Sequence, residues 1–145
     1  MATTTATFTL TSADLLSSAL SISSSMTLYK DGTTSTGLDQ MNYHRAIIPT
    51  GTNFDLIAES AALTEDASYV YIINKNTTKE DYVIISIVGE VLGRLYAGDW
   101  LFMPWDCDLS AADTDSSIEI QAFNNAVTVE YALFHNGETL PTAAD

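Results

Sequence analysis

The chain has 145 residues, with 19 acids against 5 bases and a formal charge of −14. A surface this acidic repels phosphate backbones and anionic lipid, so direct nucleic-acid and membrane partners are set aside. The length is that of one domain, the 46% of hydrophobic residues suffices for a core, and a single cysteine, Cys107, excludes an intramolecular disulfide.

After Arg94 there is no Lys or Arg at all, but there are nine acids. Such a surface favours solubility and suits basic partners or divalent cations. No run approaches the roughly 18 apolar residues of a membrane span. The opening "MATTTATFTL" has neither a basic nor an apolar leader segment, so synthesis in a cytoplasm is expected. Ser and Thr together number 33.

"TATFTLT" alternates, with Thr5, Thr7, Thr9 and Thr11 on one side and Phe8 and Leu10 on the other. That is the pattern of a half-buried strand. "LSISSSMTLY" alternates again, with Leu20, Ile22, Ser24, Met26 and Leu28 on one parity. Between them, "SADLLSSAL" reads either as one helical turn capped by Ser12 or as more strand. "KDGTTSTGLDQ" is a polar loop with two glycines. "YHRAIIP" and "NFDLIA" are short strands split by "PTG", and "ESAALTEDA" is a connection.

The centre is richest in strand formers. "SYVYIIN" and "DYVIISIV" are β-branched and aromatic, and apolar on both parities. "KNTTKE" between them reads as a hairpin loop. "EVLGRLY", a turn at Gly98-Asp99 and "WLFMPW" follow, then the acidic loop "DCDLSAADTDSS". "IEIQAF" and "VTVEYALF" read as a closing hairpin over "NNA". In the last of these, Val127, Val129, Tyr131 and Leu133 face in, and Thr128 and Glu130 face out. About nine or ten strands with almost no helical pattern predict an all-β fold: a single-domain antiparallel β-sandwich, jelly-roll-like, over residues 1–145. Residues 1–12 form an arm or an edge strand in this reading.

No residue set carries evident chemistry. His44 and His135 lack neighbours at metal-ligand spacing and read as strand and turn residues. No nucleophile elbow, zinc-protease or phosphate-loop motif occurs. Cys107 sits between Asp106 and Asp108, which disfavour its thiolate. The expectation is a non-enzyme without a cofactor. Asp106, Asp108, Asp113 and Asp115 are candidates for Ca²⁺, which favours clustered carboxylates. The same residues serve turns in a solvated loop, which is the preferred reading. The sequon Asn76-Thr77-Thr78 reads as turn chemistry.

One pattern asks for a partner. In a two-layer sandwich the outer faces are polar, yet "YVYIIN", "YVIISIV" and "WLFMPW" are apolar on both sides. Either a loop covers the second face or another subunit does. Trp100, Phe102, Trp105, Tyr69 and Tyr71 are the interface candidates.

"YVYIINKN", "ISI", "LYAGDWLFMPW" and "VEYALFHNG" together resemble the small β-sandwich structural proteins of tailed bacteriophages. The resemblance covers roughly residues 68–137, and the Thr-rich start is in the same style. It implies a component of the virion, made in the host cytoplasm: a capsid decoration (cement) protein, or a tail or fibre subunit, commonly a homotrimer. The implied partners are further copies of the chain and the major capsid protein or other virion proteins, and no catalytic residue is carried over. The length favours decoration of the capsid exterior. The alternative is a carbohydrate-binding module, with Trp100 or Trp105 stacked on a sugar ring.

Overall fold

The computed structural model describes residues 4–15, 17–29, 35, 37–38, 40–57, 67–105 and 117–135. These hold ten strands and no helix: β1 (Thr4–Ser12), β2 (Leu20–Leu28), β3 (Gln40–Ile48), β4 (Phe54–Ile57), β5 (Ala67–Asn74), β6 (Tyr82–Ile87), β7 (Glu90–Tyr96), β8 (Trp100–Pro104), β9 (Ile118–Phe123) and β10 (Val127–His135).

The strands form two four-stranded antiparallel sheets and a separate hairpin. The first sheet has the order β3-β10-β5-β8 and the second β4-β9-β6-β7, while β1 pairs with β2. The pairs are nested: β6 with β7, β5 with β8, β4 with β9, β3 with β10. This is one long eight-stranded hairpin rolled into two layers, the jelly-roll arrangement the strand pattern predicts.

The period-two pattern decides what goes inside. Val70, Ile72, Val127 and Val129 point inward from the first sheet, and Val83, Ile85, Ile118 and Ile120 from the second. All eight are nearly inaccessible to water. At about 1.5–3 kcal/mol for each fully buried aliphatic side chain, this layer is the main stabilising term. His44 stacks on Tyr131 with ring centroids 5.3 Å apart, and His135 is buried at the end of β10.

Two predicted hairpins are corrected. β5 and β6, joined by "KNTTKE", lie in different sheets, as do β9 and β10, joined over "NNA". In a rolled hairpin, chain neighbours swap layers, so a short polar loop between two strands does not imply that they pair. The tight hairpin is β6–β7, where Ile87 pairs with Glu90 around Val88-Gly89. Both turn residues have positive φ, 54° and 76°, the combination that two-residue hairpins use to match strand twist. Valine is a poor choice there, because a β-branched side chain crowds the backbone at positive φ. Val88→Asn should therefore stabilise the protein by about 1 kcal/mol, read as a higher denaturation midpoint. No change or a loss would show that the valine is held by contacts of its own.

Within "SADLLSSAL", Ser12 ends β1 and Leu20 begins β2, and the described residues between them, 13–15 and 17–19, are neither helix nor strand. Ser12 Oγ accepts the N–H groups of Leu15 and Asp14 at 3.0 and 3.4 Å, so the capping bond forms around a bend. β1 is not an edge strand of either four-stranded sheet. Most of "KDGTTSTGLDQ" and "ESAALTEDA", and nearly all of the acidic loop, lie outside the described residues.

Candidate functional site

The face opposite the core on the first sheet holds the unusual residues. Register places them in rows across β3, β10, β5 and β8. Met41, Phe134, Tyr69 and Pro104 form one row, Tyr43, Ala132, Tyr71 and Phe102 the next, and Arg45, Glu130, Ile73 and Trp100 a third. An outer face that should be wet is therefore an aromatic sheet. Its rings contact one another diagonally. Tyr69 stacks on Phe102 at 5.5 Å, Phe134 meets Phe102 edge-on at 6.0 Å, and Tyr71 lies 6.4 Å from Trp100. Such pairs contribute beyond the area they bury.

The face is not closed. Trp100 is 52% exposed, Tyr43 51% and Ile47 69%. The turn that launches β8 is rigid. Asp99 N–H donates to Tyr96 O at 2.8 Å, the Asp99 carboxylate accepts from Tyr96 N–H at 3.0 Å, and Gly98 has φ +87°. That φ suits the third position of a type II turn, where only Gly sits without strain. Trp100 is thus displayed from a fixed corner.

A single polar island interrupts the aromatic rows. Glu130 accepts from the Tyr43 hydroxyl and the Arg45 guanidinium, and Lys75 Nζ stands 3.8 Å from its Oε2. The hydrogen bond from Tyr43 and then that from Arg45 hold the Glu130 carboxyl below the usual carboxylate range. The same bond pushes the Tyr43 hydroxyl up, because ionising it would place an anion beside a carboxylate. A carboxylate so engaged is ionised at neutral pH and poorly suited to proton transfer. It ties the Arg45 and Tyr43 side chains of β3 to β10.

The second sheet is also aromatic outside, on a smaller scale. Tyr82 stacks on Phe123 at 5.1 Å and leans on Tyr96 at 5.2 Å, with the Arg94 guanidinium 5.0 Å from the Tyr82 ring centre. Among the described residues this ring cluster is roofed by a cation and Trp100 is not.

Of the residues the sequence singles out, Tyr69, Tyr71, Trp100 and Phe102 come together on the first sheet's outer face. Trp105 does not join them. It is 4% exposed and belongs to the core, because it continues the parity of Leu101 and Met103, which pack against that core. Asp106, Asp108, Asp113 and Asp115 lie outside the described residues, as does Cys107. Among the described residues no group of three His, Cys, Asp or Glu side chains could hold a metal ion. No described helix is long and apolar enough to cross a membrane.

Sequence reasoning missed Tyr43, Arg45, Glu130 and Phe134. The signal was present in "MNYHRAII", where Met41, Tyr43 and Ile47 share a parity with Arg45. Asn76, the sequon residue, is occupied otherwise. Its Nδ2 donates to the Asp81 carboxylate at 2.9 Å and to Ala126 O at 3.1 Å, and its Oδ1 accepts from Thr128 N–H at 3.0 Å. Against known proteins, the chain matches no family model and no curated protein.

Proposed function

We propose that the chain is a non-enzymatic structural protein of a virion, a capsid decoration protein that binds the shell exterior and associates with copies of itself. The observation that carries this reading is the aromatic outer face of the first sheet. Soluble monomers rarely leave so contiguous an apolar face open to water, and aromatic surfaces are enriched where proteins meet. The jelly roll is used by viral shell proteins and by lectins alike, so the fold alone does not choose between them. Charge and the resemblance to phage sandwich proteins favour the shell. A net charge of −14 suits an exterior surface and opposes a genome-facing one.

Carbohydrate binding is the second reading, favoured by one observation. Trp100 is half exposed beside Tyr71, with Arg45 and Glu130 in its own row. A sugar ring stacks on such a platform and bonds to such groups.

The test is co-sedimentation of the purified chain with tailed-phage particles stripped of accessory proteins. Saturable pelleting, lost in Trp100→Ala with Phe102→Ala, is expected. A chain that stays in the supernatant while Trp100 fluorescence is quenched by soluble oligosaccharides would overturn the virion reading in favour of sugar binding.

A further inference from the structure

The β1–β2 hairpin is a two-faced ribbon. Across its ladder Thr5, Thr7, Thr9 and Thr11 oppose Thr27, Ser25, Ser23 and Ser21, so one face is hydroxyl throughout. The Thr7 and Ser25 hydroxyls lie 3.3 Å apart. The other face pairs Ala6 with Met26, Phe8 with Ser24 and Leu10 with Ile22. Phe8, Leu10, Ile22 and Met26 are 45%, 44%, 45% and 47% exposed.

An isolated two-stranded hairpin is marginal in water, and this one is anchored at its base. Leu28 is buried, Leu38 N–H donates to Leu28 O at 3.2 Å, and Thr4 Oγ1 donates to Leu38 O at 2.6 Å. Further along, the apolar face of the hairpin and the outer face of the first sheet border one cavity of about 570 Å³. Phe8 and Met26 line it from the hairpin, and Tyr71, Trp100 and Phe102 from the sheet. The hairpin therefore leaves its own apolar face and the aromatic rows both partly wet.

Charge decides what fills the gap. Residues 1–29 carry one charge, Asp14, in a chain of −14. The first sheet's outer face carries Arg45 and Lys75 against Glu130. On both of these surfaces a second acidic molecule of the same kind can approach with little repulsion. A basic partner would instead gain most on the acidic remainder of the surface.

We propose that the occupant is a second copy of this chain: the apolar face of the β1–β2 hairpin of one copy packs over the outer aromatic face of the next, along Tyr43 and Ile47. The two surfaces are different, so the contact is head-to-tail, an arrangement that closes into a ring when the rotation permits. This rests on the assembly reading above and names the surfaces through which copies join. The hydroxyl face of the hairpin then remains toward water.

The test is the mass of the full chain in solution, by sedimentation and light scattering. The expected species is a discrete multiple of 15.7 kDa. Leu10→Lys with Ile22→Lys removes the hairpin surface, and Ile47→Lys removes the sheet surface. Each should weaken association by roughly ten-fold or more, with the strand circular dichroism of the folded chain unchanged. Should the lysine pair unfold the hairpin, Leu10→Ser with Ile22→Ser matches its other face and makes the same cut. An equimolar mixture of the hairpin and sheet variants should pair one-to-one, because each retains the surface the other lacks.

A chain that is monomeric on the order of 100 µM would overturn the proposal. So would a mixture that stays monomeric, or association abolished by about 1 M salt, the mark of charged contacts. Particle binding is read separately, so a monomer that still pellets with particles removes this contact and leaves the decoration reading standing.

Discussion

Trp105→Ala should lower the stability of the chain by about 3–5 kcal/mol, the cost of truncating a fully packed tryptophan. The residue sits just past Pro104, is 4% exposed, and belongs to the same cluster as Val70, Ile72, Ile118 and Val127. The rigid sheets on both sides cannot collapse into the space it vacates, so a cavity term adds to the lost burial. For a domain of this size the melting temperature should fall by roughly 10 °C or more. Trp100→Ala is the matched control. That ring is 52% exposed and its nearest aromatic partner is 6.4 Å away, so its loss should leave the fold intact and weaken association. Scanning calorimetry with sedimentation separates the two effects. Equal melting temperatures for the two variants would contradict the assignment of one tryptophan to the core and the other to the surface.

Asn74→Ala should cost about 3 kcal/mol or more, because a buried side chain with three hydrogen bonds leaves three groups unpaired. Asn74 is inaccessible to water. Its Nδ2 donates to Leu95 O at 3.0 Å and to Asp81 O at 3.2 Å, and its Oδ1 accepts from Asn76 N–H at 2.9 Å. Its backbone bonds to the β7–β8 turn, through Asp99 O at 3.0 Å and Gly98 N at 2.9 Å. One residue thus ties the end of β5 to the second sheet and to the corner that presents Trp100. Asn125→Ala removes only the 2.8 Å bond from an exposed amide to Asp81 Oδ1, and should cost about 1 kcal/mol. Urea denaturation of both variants checks the order. A larger loss for Asn125→Ala would contradict this view of the network.

The strands were legible because burial follows a period of two. In β10, Val127, Val129, Tyr131 and Leu133 point into the core and Thr128 and Glu130 to the opposite face, as the alternation predicts, although Glu130 and Ala132 on that face are buried as well. Pairing was less legible. "KNTTKE" and "NNA" have the composition of hairpin loops, yet they carry the chain between layers. The true hairpin turn, Val88-Gly89, lacks the usual Asn-Gly signal and was absorbed into the strand before it. The aromatic face was visible as apolar residues on both parities of β5 and β8. Its polar centre was not, because Tyr43, Arg45 and Glu130 are 85 or more residues apart in pairs across β3 and β10. Asn74, Asn76 and Asp81 look like ordinary turn residues in a sequence, since only tertiary contact shows which carbonyls they satisfy. The hairpin's two faces were legible from alternation alone; the lack of a covering layer was not.

The most direct measurement of the central claim is a side-chain-resolution density map of the purified virus particle. The chain should occupy the shell exterior, with the rings of Tyr43, Tyr71 and Trp100 buried against a neighbouring copy or a shell protein. Absence from the particle, a position on the inner wall against the genome, or an aromatic face left open to solvent in the assembled state would contradict it.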